Sequence, residues 1–170
     1  AHFQHLEMGY TGKSEKRIRL SIEYDYASGD DSSLDGNSGR FDSLYGARRF
    51  DYGPVGIFGA FNRSNISSPG LRLSIVPNSR TQLMMSYRGF WRANSGDSWV
   101  AAEMSDPIGT ASSFLGQQIE TRLRWKLAPK NCQLEIGSTY LRSGKYANDV
   151  GNESYKKDIF YNYLQLSFSF

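Results

Sequence analysis

Apolar and polar residues alternate with a period of two in segment after segment of this chain. From Ile18 to Tyr26, Ile18, Leu20, Ile22, Tyr24 and Tyr26 fall on one side of an extended strand, and Arg17, Arg19, Ser21, Glu23 and Asp25 on the other. The segment LGQQIETRLRWKL repeats the pattern, with Leu115, Ile119, Leu123, Trp125 and Leu127 opposed to Gln118, Glu120, Arg122, Arg124 and Lys126. A weaker copy runs from Arg80 to Arg92, setting Leu83, Met85, Tyr87 and Trp91 against Gln82, Ser86, Arg88 and Arg92. LEMGYTG, GLRLSIV, CQLEIGSTYLR and the terminal YNYLQLSFSF follow suit, so the pattern predicts about seven strands. Each has one greasy face and one wet face.

The connections decide between architectures. GKSEK (Gly12 to Lys16), PNS (Pro77 to Ser79) and APKN (Ala128 to Asn131) are short, whereas the alternate ones, Ala27 to Pro69, Ala93 to Phe114 and Ser143 to Asp158, are long and rich in Gly, Ser, Asn and Asp. Several strands match the roughly 9–11 residues that a tilted strand needs to cross a bilayer. Aromatic residues gather at both ends of the strands. Tyr24, Tyr26, Tyr87, Trp91, Tyr140 and Phe160 lie toward the long connections, and Tyr10, Trp125, Phe168 and Phe170 toward the short ones. Tight turns on one side, long loops on the other and two aromatic girdles predict an all-β, transmembrane antiparallel β-barrel. A soluble sandwich would also alternate, but its outer face would not need unbroken rows of Arg, Glu and Lys.

Direction follows from the last strand. If it runs from the outside inward, the short turns are periplasmic and Ala1 lies on the extracellular side, whereas a single-chain barrel ordinarily starts inside and has an even strand number. Seven strands are therefore expected to be the C-terminal part of a larger barrel, with residues 1–170 forming one barrel domain or barrel segment. Reading PVGIFGAF as an additional strand would restore an even count, but it puts ASGDDSSLDGNSG on the short-turn side.

Composition narrows the classes further. The 170 residues are 39% hydrophobic and 14% aromatic, with no apolar run of the ~18 residues a membrane helix needs. The opening AHFQHLEMGY lacks the basic start and apolar core of a secretory leader, so the expectation of an outer-membrane location rests on the strand pattern. The single Cys132 excludes an internal disulfide framework. A net charge of +3 from interspersed residues is too small to imply nucleic acid.

One segment carries a resemblance. FDSLYGARRFDYGPVGIFGAFNRSNISSPGLRL (Phe41 to Leu73), with its Tyr-Gly-x-Arg-Arg run, Gly-Pro-x-Gly pair and Asn-Ile-Ser-Ser-Pro-Gly-x-Arg-Leu lead into a strand, resembles the alginate export family of outer-membrane β-barrels. The resemblance extends to the C-terminus and covers the last part of a full family member. It implies a barrel in a Gram-negative outer membrane, whose best-known relative exports an anionic polysaccharide through an arginine-lined pore. Alginate itself does not carry over as cargo.

The wet faces hold the candidate chemistry. Arg17, Arg19, Arg72, Arg88, Arg92, Arg122, Arg124 and Lys126 stand there with Glu23, Asp25, Glu120 and Glu135. Arginine offers a planar, permanently charged fork suited to carboxylates, so such a ladder in a wet lumen could hold and pass an anionic solute or glycan. The bland reading is cross-strand pairing that stabilises the wall. With about eight basic residues to four acidic ones, both are expected, the excess setting selectivity.

The loops offer less. DSSLDGNSGRFD spaces Asp31, Ser33, Asp35, Gly36 and Asp42 as a calcium loop would, but it closes on Asp instead of Glu and has no flanking helices, so calcium is a partial fit and no other cofactor is expected. Arg48 and Arg49 beside Asp51, followed by a Gly- and Pro-rich run, suggest a loop folded back on itself or into the barrel, where Phe58 and Phe61 could plug or pack. Plain extracellular loop packing accounts for the same residues equally well. His2 and His5 fall on opposite strand faces, a poor arrangement for a shared metal. No nucleophile, base and orienting group form a catalytic set. The function expected is a conduit for polar, anionic solutes or polysaccharide, with membrane lipid as the outer partner. The alternative is a structural segment that completes another barrel or serves an outer-membrane complex without its own pore.

Overall fold

A computed structural model describes residues 1–31, 36–42, 52, 60–106, 108–128, 131–151 and 156–169. Seven strands form one sheet: β1 (Phe3–Thr11), β2 (Arg19–Ala27), β3 (Ile66–Asn78), β4 (Thr81–Trp91), β5 (Phe114–Ala128), β6 (Cys132–Ser143) and β7 (Ile159–Phe168). Each pairs antiparallel with the next, and the sheet is open, with β1 and β7 at its edges. All seven are the strands the alternation predicts. The long connection between β6 and β7 also holds a short helix, α1 (Lys145–Val150), which the pattern did not announce. PVGIFGAF lies outside the described residues except for Ala60 and Phe61, which belong to no strand.

Two strands depart from their expected course. β3 starts at Ile66, four residues before GLRLSIV, so that Ile66 to Pro69 pair with Ala27 to Tyr24. Its ladder to β4 omits Ser68 and Pro69, so the missing proline N–H costs no bond there; Ser68 Oγ instead donates to the Gly89 carbonyl at 2.9 Å. In β5 the register slips between Phe90 and Trp91 of its partner, where Gly116 takes a φ of 153°. A bulge at this point turns the strand over. Leu115, expected on the outer face with Ile119 and Leu123, is buried in the inner core as a result.

The two faces of the sheet differ in kind. Outward side chains are apolar and open to their surroundings, with Leu6 64%, Leu20 55%, Met85 49% and Leu164 69% exposed. Tyr10, Trp125 and Phe168 mark the short-turn rim of this face, and Tyr24, Tyr87, Tyr140 and Phe160 the long-loop rim. A band of that kind, rimmed by aromatic side chains, is what the outer wall of a membrane β-barrel presents to lipid. Phe170 lies outside the described residues.

The hydrophobic core sits on the inner face, at its long-loop end. Ala27, Ile66, Phe90, Leu115 and Leu141 come from the strand ends, and Tyr52, Phe61, Trp99, Met104, Tyr146 and Ala147 fold in from the connections. Phe61 stacks on Phe90 with centroids 3.6 Å apart and on Trp99 at 5.5 Å. Trp99 Nε1–H donates to the Ala60 carbonyl at 3.0 Å, and the Tyr146 hydroxyl to that of Met104 at 3.1 Å. The long connections therefore lie partly over the inner face of the sheet, at the ends of the strands.

Candidate functional site

Below that aromatic cover the inner face is polar, and antiparallel register sets which charges meet. His5 stands opposite Asp25, Glu7 opposite Glu23, Glu23 opposite Gly70, and Gly70 opposite Arg88. Glycine at position 70 leaves room for the Arg88 guanidinium, which would lie 3.3 Å from an added Cβ. Arg88 reaches across it and binds both acids of β2: Nη1 donates to Asp25 Oδ2 at 2.5 Å, and Nη2 to Glu23 Oε2. Nη1 also donates to the Ser68 carbonyl at 3.0 Å. Arg72 Nη1 lies 2.9 Å from the other oxygen of Glu23, and His5 Nδ1 lies 2.5 Å from Asp25 Oδ1. Arg88, Glu23 and Asp25 are all buried. Buried charge of this density survives only when each member is paired.

A second, more open group lies across β5, β6 and β7. Arg124 Nε donates to Glu135 Oε2 at 2.5 Å, and the Tyr163 hydroxyl donates to Glu135 Oε1 at 2.8 Å. Arg19 Nη2 donates to Glu7 Oε1 at 2.8 Å on the other flank. Arg122, half-buried, and Lys126, exposed, have no hydrogen bond or ion pair among the described residues. Glu120 is buried, and its Oε1 has no hydrogen-bond partner there either.

Two residues expected in the ladder are elsewhere. Arg17 is exposed in the turn before β2, at a left-handed φ of 42°, with its amide donating to the Ser14 carbonyl. Arg92 is buried above the ladder and ties loops together. Its Nη1 donates to the carbonyls of Ser95 (2.7 Å) and Asp97 (3.0 Å), its Nη2 to that of Ala111 (3.0 Å), and its guanidinium lies over the Tyr146 ring at 4.2 Å. That arrangement uses its donors on the backbone and leaves little for a solute. With Glu7 added from β1, the inner face holds Arg19, Arg72, Arg88, Arg122, Arg124 and Lys126 against Glu7, Glu23, Asp25, Glu120 and Glu135, much closer to balance than the sequence count. Glu7 was legible by parity with His5, but its role depends on Arg19 across the strand pair.

The loops form their own network. Asp97 accepts from Arg40 Nε and Nη2, from the Asp30 amide at 2.8 Å and from the Ser98 amide at 2.7 Å. Burial pushes the Asp97 carboxyl up, but Arg40 and the two amides outweigh it and hold it below its ordinary value; the same pair raises Arg40. Asn65, at a φ of 47°, accepts from the Asn94 amide and donates to the carbonyls of Asn94 and Ser98. Of the calcium set, Asp31 accepts from Asn94 Nδ2 at 2.6 Å and Asp42 is exposed, while Ser33 and Asp35 lie outside the described residues. Arg48, Arg49, Asp51 and Phe58 lie outside them too. Phe61 packs on Phe90 and Trp99 beneath the loops, a contact that loop packing and a loop folded inward share.

An apolar outer band, an ion-paired inner face and strict antiparallel pairing define one wall of a transmembrane β-barrel. No helix among the described residues is long and apolar enough to cross a membrane. The family described as alginate export matches residues 1–161, and the chain belongs to that family. Its members are outer-membrane β-barrels with a general role in polysaccharide export, a transport function and not an enzymatic one. Comparison with curated proteins returned no match.

Proposed function

We propose that the inner face of this wall lines a wet passage for a polar, anionic solute or glycan. Arg122 and Lys126 supply the positive charge that pairing does not neutralise. The observation that carries this reading is the division of labour among the cations. Arg88, Arg72, Arg124 and Arg19 each sit on a carboxylate, whereas among the described residues Arg122 and Lys126, on the same face of β5, form no ion pair, although Arg122 lies within the electrostatic reach of Glu120 and Glu135. A guanidinium or ammonium held at a wet wall lowers the energy of a passing carboxylate, and its effect weakens with salt.

Reversal potentials across planar bilayers in a potassium chloride gradient test this. Arg122→Gln with Lys126→Gln should move ion preference toward cations while the barrel stays folded. An unchanged preference in a folded, conducting double variant refutes the assignment. The second reading, a wall that completes a barrel without a passage along this face, draws on the aromatic cluster that covers the long-loop end. It requires a folded protein with no conductance.

A further inference from the structure

We propose that Tyr161 and Tyr163 form an aromatic platform that binds a pyranose ring of the glycan, with Arg122 beside it to take a uronate carboxylate. The proposal deepens the passage reading above and rests on it. Tyr163 is directly opposite Gly137, and a Cβ added to that glycine would lie 2.0 Å from the Tyr163 Cε1 and 2.3 Å from its Cζ. The ring therefore lies flat across the inner side of β6, where only glycine leaves it room. Its hydroxyl is anchored on Glu135, itself held by Arg124, which fixes the ring in place. The ring thus covers the Gly137 backbone, and Tyr163 as a whole stays half-buried. Tyr161, two residues along the same face of β7, leans the same way: the ring centroids are 6.1 Å apart and the planes differ by 23°. Residues two apart on a strand project from the same face, so the two rings are neighbours on the inner side of β7.

The neighbouring rows supply polar chemistry of the matching kind. Arg122 is in register with Gly137, so its row runs Arg122, Gly137, Tyr163 across three strands. The next row runs Glu120, Thr139, Tyr161, and there Glu120 Oε1 and Thr139 Oγ1 are buried without a hydrogen-bond partner among the described residues. A pyranose offers C–H groups on its flat face to the negative face of an aromatic ring, hydroxyl donors at its edge, and in a uronate a carboxylate for the guanidinium. A simple inorganic anion would use Arg122 alone and gain nothing from the rings.

The test uses the whole protein folded in detergent, with folding checked by heat-modifiable gel mobility. Two probes are titrated by calorimetry: tetragalacturonate and its carboxyl-reduced, neutral counterpart. Tyr161→Leu should weaken binding of both probes roughly tenfold, and Tyr161→Trp, which keeps an aromatic face, should restore it. Arg122→Gln should weaken only the charged probe. The platform is overturned if Tyr161→Leu leaves both affinities unchanged, or if the unsubstituted protein binds neither probe. Either result leaves the passage reading to be judged separately by the bilayer ion preference of Arg122→Gln with Lys126→Gln. If that preference is unchanged while Tyr161→Leu still weakens both probes, the platform stands and the charge assignment falls.

Discussion

Replacing Arg88 by Met would strip the central cation from the buried network while keeping most of its volume. Asp25 and Glu23 have side chains 0% and 2% exposed, and Arg88 contacts both. Removing one partner of a buried pair typically costs about 3–5 kcal/mol, because the charge left behind is neither hydrated nor matched. Here each acid keeps one neighbour, since Asp25 retains His5 and Glu23 retains Arg72. The Ser68 carbonyl also loses a donor. The lower end of that range, about 3 kcal/mol, is therefore expected, equivalent to roughly a hundredfold in the folding equilibrium. Urea unfolding of the protein in lipid vesicles, followed by tryptophan fluorescence, measures it. Adding Glu23→Gln and Asp25→Asn to Arg88→Met should recover at least half of the loss by removing the stranded charges. A loss below about 1 kcal/mol in the single variant, or a triple variant no more stable than the single, would contradict the picture of Arg88 as the structural counter-ion of β2.

Asp97 should make the loop layer acid-sensitive. Its carboxyl is held below the ordinary 3.8, so its contribution is complete above that value and disappears as pH falls through the depressed one. The difference in thermal midpoint between wild type and Asp97→Asn should be full at neutral pH and vanish in strong acid; a pH-independent difference would remove the carboxylate from the explanation. Gly137→Ala would place a methyl group within 2.0 Å of the Tyr163 ring, forcing it off the wall at a cost of about 1–3 kcal/mol. In a Tyr163→Leu background the same change should cost much less, and equal costs in both backgrounds would show that the ring does not lie there. For orientation, in a Cys132→Ser background, Ser95→Cys should react with an impermeant maleimide on intact cells and Ser79→Cys should not. Labelling of Ser79→Cys from outside would invert the topology.

The strands were legible because a half-buried strand writes its burial into the chain at a period of two, and nothing distant is needed to read it. Ile18 to Tyr26 and Leu123 to Leu127 show which face meets lipid and which does not, and the alternation of short and long connections places the two rims. The family motif around Phe41 to Leu73 pointed to the same architecture.

Other features depend on contacts that no local pattern encodes. Leu115 has the parity of a lipid-facing residue, yet the bulge at Gly116 turns it into the core. Arg92 has the parity of the ladder, but backbone carbonyls from Ser95 to Ala111 surround its guanidinium. Arg88 and Arg122 look alike in the sequence, and both point inward. Register places Gly70, and beyond it two acids, next to the first, and Gly137 with a tyrosine ring next to the second. Which charge is neutralised depends on neighbours brought together across the ladder from up to 65 residues away. Local alternation records only that a side chain faces inward; the partner it meets follows from pairing, and pairing belongs to the assembled sheet.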